Sequence, residues 1–198
     1  KGASREQFQL LVRECNLRKN FVVVITGATG GIGSALCQAV LQLGGLVVAV
    51  DIHQQALEEF QQQQDDPDRI RIVTADFSDL ESVANAANSI LNQVSQIDIL
   101  VNNAGLAYKL EDGEKAGVSK QGYDLCFQVN YLSHVLLTEK LLPKLITKSS
   151  SGRVVHVTSG LSFGVDGSGL VPQEEAKGGG IIKPPSASQP GAKGLVPR

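Results

Sequence analysis

The sequence predicts an α/β fold built on a doubly wound parallel sheet. Short apolar runs, rich in β-branched residues, alternate with stretches of helical periodicity over residues 20–159. This alternation is typical of parallel strands that are covered by helices on both faces. A glycine-rich segment separates the first strand from the first helix, and an aspartate closes the second strand. Together these observations indicate a Rossmann-like domain, a fold that binds dinucleotides at the carboxyl edge of its sheet.

Five apolar runs are the predicted strands. The first, FVVVI, is unbroken and mostly β-branched, as expected of a strand that is buried on both faces of a parallel sheet. The five runs occupy residues 21–25, 46–50, 70–73, 97–101 and 153–157. His156 lies in the last run, and we expect it to be a packed core histidine rather than a base.

Four helices are predicted between these strands, because apolar residues recur there at intervals of three and four. The first helix carries the stripe Ile32, Leu36, Val40 and Leu43, and the third carries Val83, Ala87, Ile90, Leu91 and Val94. The second covers residues 56–64 and ends in the polar run QQQQDDPD. The fourth is predicted as one long helix over residues 123–147, with Pro143 near its end.

Three regions are predicted along the chain. Residues 1–19 form an N-terminal helical extension, since Phe8, Leu11, Val12 and Cys15 follow helical spacing. Residues 20–159 form the dinucleotide-binding domain. Residues 160–198 hold nine glycines and five of the seven prolines without periodicity, so we expect an irregular Gly/Pro-rich tail. On this prediction the sheet lacks the last strands of a complete domain of its type.

Composition and charge argue against several classes of function. A formal net charge of −2 disfavours a nucleic acid or an anionic membrane as partner. Cys15, Cys37 and Cys126 are far apart and form no pairing motif, so we expect neither disulfides nor a metal site. No apolar run is long enough to form a transmembrane segment, and the N-terminus lacks the apolar core of a signal peptide. We expect a soluble protein of the cytosol or of an organelle interior.

The glycine-rich segment TGATGGIG, residues 26–33, stands between a predicted buried strand and a predicted helix. In that context one glycine permits a sharp turn, a second allows a pyrophosphate to approach the backbone, and a third allows the helix to pack on the strand. The amino end of the helix then presents unpaired N–H groups to the phosphates. The alternative is a glycine-rich turn that binds no ligand.

Asp51 closes the second predicted strand. A carboxylate at this point accepts hydrogen bonds from the ribose hydroxyls of the adenosine half of the cofactor. It would repel a 2′-phosphate, and no Arg or Lys in the glycine segment or directly after Asp51 offsets that repulsion. The sequence therefore favours NAD(H) over NADP(H). Taken alone, Asp51 could also be a strand-end cap.

Four further motifs follow in order. Asp76 and Phe77 come after the third strand, and NNAG follows the fourth at residues 102–105. Asn130 ends FQVN in the long helix, and Ser159 ends RVVHVTS after the fifth strand. Together with TGATGGIG, these motifs resemble the short-chain dehydrogenase/reductase family from about Asn20 to Ser159. Each motif alone fits a turn, a polar helix residue or a strand-end hydroxyl, and their shared order carries the resemblance.

The resemblance implies a role for each motif. It implies that Asn130 positions a water in a proton relay and that Ser159 orients a substrate carbonyl. It also implies cofactor contacts at Gly27, Thr29, Gly30, Gly31, Ile32, Gly33, Asp51, Asp76, Phe77, Asn103, Ala104 and Gly105.

The general acid/base of this family is a tyrosine four residues before a lysine, and no such pair follows Ser159. Tyr108, Tyr123 and Tyr131 all precede that serine. The segment most similar to this pair is QPGAK at residues 189–193, which has Lys193 at the position of the lysine and a glutamine at the position of the tyrosine. General acid–base help contributes roughly 10²–10⁴ in rate, so its loss would be severe.

Two hypotheses follow from this pattern. In the first, the chain belongs to an oxidoreductase that binds NAD(H) and transfers hydride between nicotinamide and a small carbonyl or alcohol substrate, with catalytic residues incomplete as printed. In the second, it is a non-catalytic relative that serves as a structural or regulatory subunit. A protein partner would then cover the open edge of the sheet.

Overall fold

A five-stranded parallel sheet forms the centre of the molecule. The computed structural model describes residues 20–107, 117–147 and 150–159, so the predicted N-terminal helix and the Gly/Pro-rich tail lie outside the described residues. The sheet contains β1 (Val22–Thr26), β2 (Leu46–Asp51), β3 (Ile70–Thr74), β4 (Ile99–Asn102) and β7 (Arg153–His156). A short antiparallel pair, β5 (Ile146–Thr147) and β6 (Ser150–Ser151), precedes β7.

Helices connect the strands and cover the two faces of the sheet. The described helices are α1 (Gly31–Gln42), α2 (Gln54–Gln62), α3 (Leu80–Gln93), the single turn α4 (Leu125–Phe127) and α5 (Ser133–Leu145). A 3-10 turn (Pro67–Arg69) leads into β3, and a π-helical segment (Gln128–Leu132) joins α4 to α5.

The strand order is β3-β2-β1-β4-β7, and every neighbouring pair is parallel. The chain moves outward in one direction from β1 to β3 and then returns to pair β4 on the other side of β1. Ile25 of β1 therefore has Ala49 on one side and Val101 on the other. A crevice opens at such a reversal point, beyond the carboxyl ends of the strands.

The core lies in two layers, one on each face of the sheet. Val22 and Val24 contribute to the layer that contains buried residues of α3 and α5. Val23 and Ile25 contribute to the layer that contains residues of α1 and α2. All five residues of β1 are buried, which confirms the predicted strand with helices on both faces.

The long helix predicted over residues 123–147 is confirmed for residues 125–145, whereas residues 146 and 147 form strand β5. The segment contains one α-helical turn, a π-helical turn that includes Asn130, and the regular helix α5. The π turn itself was not predicted, because it shifts the hydrogen-bond register without interrupting the apolar pattern. The side chain of Asn130 is bonded on both of its polar atoms to the backbone of Leu106, a tertiary contact that periodicity cannot reveal.

Two smaller predictions about burial are also wrong. His156 is exposed, because all four residues of β7 are exposed at one edge of the described sheet. Ile32 is 60% exposed, although it begins the predicted apolar stripe of α1. Leu36, Val40 and Leu43 of that stripe are partly buried against the core beside Cys37, as predicted. Ile32 instead lines the crevice.

Candidate functional site

The turn between β1 and α1 depends on two glycines. Gly27 has φ +64°, and a Cβ there would lie 2.9 Å from the Cα of Ala104. A Cβ on Gly33 would lie only 2.0 Å from the backbone oxygen of Gly27. Both positions therefore require glycine, one for backbone conformation and one for close packing of the helix against the turn.

The amino end of α1 is open toward the crevice. The capping residue Gly30 has no side chain to satisfy the first N–H groups of the helix, and the first turn carries no acidic residue. A Cβ added to Gly31 would have no neighbouring heavy atom within 4 Å. Helix amino ends carry partial positive charge and unpaired donors, so this end suits an anionic group such as a pyrophosphate.

Asp51 lies beside this turn at the end of β2 and is 9% exposed. Its Oδ2 accepts the backbone N–H of Thr29 at 3.0 Å and the Thr29 hydroxyl at 2.8 Å. Its Oδ1 accepts the N–H of Ile52 at 2.8 Å and, more weakly, that of His53 at 3.4 Å. The carboxylate is thus fixed by four donors at the rim of the crevice.

The opposite wall begins after β3. Asp76 Oδ1 accepts both the backbone N–H and the hydroxyl of Ser78, at 2.8 and 2.7 Å. Phe77 is buried, and its ring lies 4.8 Å from that of His134. These contacts hold Asp76 and Phe77 in one compact turn at the carboxyl end of the strand.

The floor is residues 103–106, which follow β4. Thr26 Oγ1 accepts the N–H groups of Asn103 and Ala104, each at 2.9 Å. The Asn103 amide donates to the carbonyl of Thr26 at 2.8 Å and to that of Gly27 at 3.3 Å. Side chain and backbone of the NNAG segment are therefore bonded directly to the start of the glycine turn.

One crevice of about 890 Å³ contains all of these features. Its volume lies in the range of about 300–1,000 Å³ that is usual for small-molecule and cofactor sites. The twelve residues predicted to contact a cofactor all line it, and so do Ile52, His53, Ala75, Ser78, Leu106, Val118, Leu125 and Val129. We call this crevice, with these lining residues, the cleft.

Comparison with known proteins identifies the family. The sequence profile of the short chain dehydrogenase family matches residues 21–171. The chain belongs to this family. Its members are oxidoreductases that bind nicotinamide cofactors, NAD or NADP, and the five-stranded parallel sheet with flanking helices agrees with their solved structures.

Each relative matches this chain over only part of the relative's own length. An uncharacterized oxidoreductase of Schizosaccharomyces pombe is 35% identical over 146 residues, which cover 70% of this chain and 42% of that protein. The structure of 3-ketoacyl-(acyl-carrier-protein) reductase from Brucella melitensis complexed with NADH matches with a TM-score of 0.60 and 30% identity, covering 71% of this chain and 57% of that one. An alcohol dehydrogenase of Thermococcus sibiricus complexed with 5-hydroxy-NADP matches with a TM-score of 0.61 and 28% identity, covering 72% and 59%. The chain thus spans about half the length of the relatives that it matches.

Asn130 and Ser159 are the predicted catalytic residues that the structure describes, and neither is among the residues that line the cleft. Asn130 is exposed, and its side chain pairs with the N–H and the carbonyl of Leu106, both at 2.9 Å. It thereby holds the far end of the floor. Ser159 is exposed just beyond β7 and is not among the residues that line the cleft. Lys193 lies outside the described residues.

Sequence analysis missed the wall that residues 117–125 form. Val118 and Leu125 line the cleft, but neither was predicted as a site residue: Val118 precedes the helix predicted over residues 123–147, and Leu125 lies within it. Polar bonds dock this stretch on the start of α3: Gln121 Oε1 accepts the N–H of Leu80 at 3.1 Å, and its amide donates to Asp79 at 3.0 Å. No local pattern signals such a contact, because it joins segments that are distant in sequence.

Hydrogen bonding and burial shift the pKa values of several described groups. A hydrogen bond from Lys120 is the main cause that holds the pKa of Asp79 low, at about 2. Burial lowers the pKa of the His134 imidazole, which packs against Phe77, to about 4. Burial likewise raises the pKa of the Cys37 thiol to about 12, so this thiol is protonated at neutral pH.

No group of three or more His, Cys, Asp or Glu side chains in residues 20–107, 117–147 and 150–159 is arranged to hold a metal ion. Over the same ranges no helix combines the length and apolar character that crossing a bilayer requires.

Proposed function

We propose that the cleft binds NAD(H) and that the chain is the cofactor-binding part of an oxidoreductase acting on a small carbonyl or alcohol. The observation that carries the proposal is the placement of Asp51. Its carboxylate stands at the rim of the cleft beside the glycine turn, where the adenosine ribose of a dinucleotide on the helix amino end would lie. Family membership supports the reaction class.

The preference for NAD(H) over NADP(H) rests on charge. A 2′-phosphate would lie against the Asp51 carboxylate and be repelled by it. Among the described residues that line the cleft there is no lysine or arginine to offset that repulsion. The ribose hydroxyls of NAD(H) can instead replace the weak bond from His53, whose N–H is 3.4 Å from Oδ1.

The proposed position of the dinucleotide also assigns roles to the other site residues. The backbone of Gly30, Gly31, Ile32 and Gly33 would hold the pyrophosphate, while Asp76 and Phe77 would border the adenine. Residues 103–105 would support the nicotinamide half, which supplies or accepts the hydride once bound. Asn130 would position a water and Ser159 would orient the substrate carbonyl, roles carried over from the family together with that of Lys193.

Binding of the two reduced cofactors tests the proposal. We expect the protein to bind NADH more tightly than NADPH, measured by nicotinamide fluorescence or calorimetry. Asp51→Ala should weaken NADH binding by about tenfold or more, since charge-assisted hydrogen bonds to ribose are each worth roughly 1.5–3 kcal/mol. The same change should narrow or reverse the preference over NADPH.

Asp65→Ala is the matched control. It removes the same charge from an exposed position outside the cleft, and both affinities should stay near the wild-type values. Thermal denaturation of both variants separates loss of binding from loss of fold. Equal affinity of the wild type for NADH and NADPH would remove the proposed preference, and binding of neither cofactor would overturn the proposal.

A non-catalytic role as a structural or regulatory subunit is the second candidate function. It is favoured by the exposure of β7 at one edge of the described sheet. Light scattering and a turnover assay with NAD(H) on the natural full-length protein distinguish the two. Turnover by a monomer would exclude the subunit role, whereas a stable complex without turnover would support it.

A further inference from the structure

His134 is a buried titratable residue that the proposed function does not use. Its side chain lies at the junction of the glycine turn, the floor and the π-helical turn. Nε2 is 3.0 Å from the hydroxyl of Thr26, and Nδ1 is 3.3 Å from the backbone oxygen of Asn130. The ring packs against Phe77, and the residue is only 3% exposed.

The hydrogen bonds of Thr26 determine which nitrogen of this ring carries the proton. Thr26 Oγ1 already accepts two N–H groups, from Asn103 and Ala104. Because a hydroxyl oxygen has two lone pairs, its own hydrogen must point elsewhere. The choices are His134 Nε2 at 3.0 Å and the carbonyl of Val101 at 3.4 Å. The shorter contact makes Nε2 the acceptor, so the proton is on Nδ1.

With that tautomer, the contacts form a closed circuit around the floor. Thr26 holds the beginning of residues 103–106 through two N–H groups. The Asn130 side chain holds the end of the same segment through both polar groups of Leu106. His134 links the two holders, since it accepts from Thr26 and donates to the carbonyl of Asn130.

We propose that His134 is a positioning residue that ties the glycine turn to the π-helical turn and thereby holds the floor of the cleft in its binding geometry. This role deepens the proposed function and rests on it where cofactor affinity is concerned. His134 does not line the cleft, so it acts through Thr26 and Asn130.

The circuit requires a neutral ring. Protonation would place an N–H on Nε2, and Thr26 Oγ1 would then receive a third donor and lose its acceptor. Burial, the largest cause, lowers the pKa of His134, and the nearby His156 lowers it further, while the bond to the Asn130 carbonyl acts in the opposite direction. The ring is therefore neutral throughout the physiological pH range.

Three substitutions separate packing from hydrogen bonding. His134→Phe keeps a ring against Phe77 and removes both bonds. His134→Gln can still accept from Thr26 at the position of Nε2, and His134→Asn can still donate toward Asn130 at the position of Nδ1. Ile90→Val is the control, because it weakens the same core from α3 without touching the circuit.

Hydrogen exchange of the free protein is the first readout. In His134→Phe we expect the N–H groups of Asn103, Ala104 and Leu106 to exchange about five- to tenfold faster, as loss of one net hydrogen bond of roughly 1–1.5 kcal/mol implies. Gln and Asn variants should each restore part of the protection. Ile90→Val should leave the local exchange of these groups unchanged relative to the rest of the sheet.

Titration with NADH is the second readout. We expect His134→Phe to bind NADH about tenfold more weakly, and Gln to recover part of that loss, if loosening of the floor costs about as much as one hydrogen bond. Ile90→Val should bind NADH as the wild type does. Thr26→Val tests the same link from the other side, and together with His134→Phe it should be less than additive.

Hydrogen exchange tests the positioning role of His134, and titration with NADH tests the proposed cofactor, so each can fail without the other. Unchanged exchange in His134→Phe overturns the positioning role, even if affinity falls. Faster exchange in a protein whose wild type does not bind NADH upholds the positioning role and overturns the proposed cofactor. If His134→Phe does not fold, the Gln and Asn variants with Thr26→Val decide the question by the same two measurements.

Discussion

Gly33 shows at the scale of one residue how tightly the glycine turn is packed. A Cβ on Gly33 would meet a backbone oxygen at 2.0 Å, whereas a Cβ on Gly31 would meet nothing within 4 Å. We expect Gly33→Ala to lower the free energy of unfolding by about 1–3 kcal/mol or more, because backbone must move to relieve the overlap. Gly31→Ala should change it by less than about 1 kcal/mol, toward greater stability, since alanine is the better helix former.

Urea denaturation of the two glycine variants checks this difference. They have the same change in side chain and lie in the same turn of α1, so each serves as the other's control. Equal loss of stability in both would contradict the packing described for Gly33. NADH binding by Gly31→Ala then reports, in a folded protein, whether a methyl group at the open position obstructs the cofactor.

His134 makes stability depend on pH. Its pKa in the folded protein, about 4, lies below the ordinary value of 6.5. The unfolded chain therefore binds the proton more readily, and the stabilisation present above pH 6.5 is lost as the pH falls toward 4. Between pH 7 and pH 4.5 we expect this residue to account for about 2 kcal/mol of lost unfolding free energy.

Urea denaturation at both pH values measures that loss, and His134→Gln is the control. The Gln variant cannot titrate, so its stability should fall by that much less over the same interval. Asp79, with its pKa near 2, does not titrate appreciably in this window. The same pH dependence in wild type and variant would show that His134 is not buried as a neutral ring.

Lys144 is the clearest case at the scale of a whole element. It lies on α5, and its Nζ donates to the carbonyls of Leu91 and Val94 at 2.8 and 2.6 Å, at the carboxyl end of α3. A cation there satisfies two unpaired carbonyls and interacts favourably with the helix dipole. It therefore stabilises α3 and fixes its position against α5 at once.

We expect Lys144→Met to cost about 1–2 kcal/mol of unfolding free energy, because the stem stays packed and only the two hydrogen bonds and the charge are lost. Lys140→Met, one turn earlier on α5, is the matched control and should change stability by less than about 0.5 kcal/mol. Thermal or urea denaturation compares them. A similar cost in both variants would mean that the cap at α3 contributes little.

Elements differ in how far the sequence predicts them. The alternation of β-branched runs with helical stripes predicts β1 to β4 within one or two residues. The twelve residues predicted to contact a cofactor line one cleft, and their contact with a cofactor stays a prediction. The π-helical turn, the cap by Lys144 and the docking of Gln121 were not predicted. Each depends on a partner far along the chain, and a local pattern carries no information about that partner.

For the molecule as a whole, the segments around the cleft are joined by hydrogen bonds, whereas the β7 edge of the described sheet is exposed. Four strand ends converge on the cleft, where the NNAG segment is bonded to the glycine turn. At the other end of the order, β7 pairs with β4 alone among the described strands, and its residues are exposed. Val154 and Val155 of this edge strand are 37% and 45% exposed, so the edge presents apolar side chains to which another strand could add.

Association of the molecule should therefore depend on β7 more than on any equally exposed apolar site. Val155 on β7 and Val135 on α5 are both 45% exposed, which makes them a matched pair. Lysine on an edge strand blocks strand addition, whereas lysine on a helix removes only apolar area. We expect Val155→Lys to suppress concentration-dependent association, measured by sedimentation velocity, several times more than Val135→Lys. An equal effect of both changes would indicate association through apolar area in general, and a larger effect of Val135→Lys would assign the contact to α5.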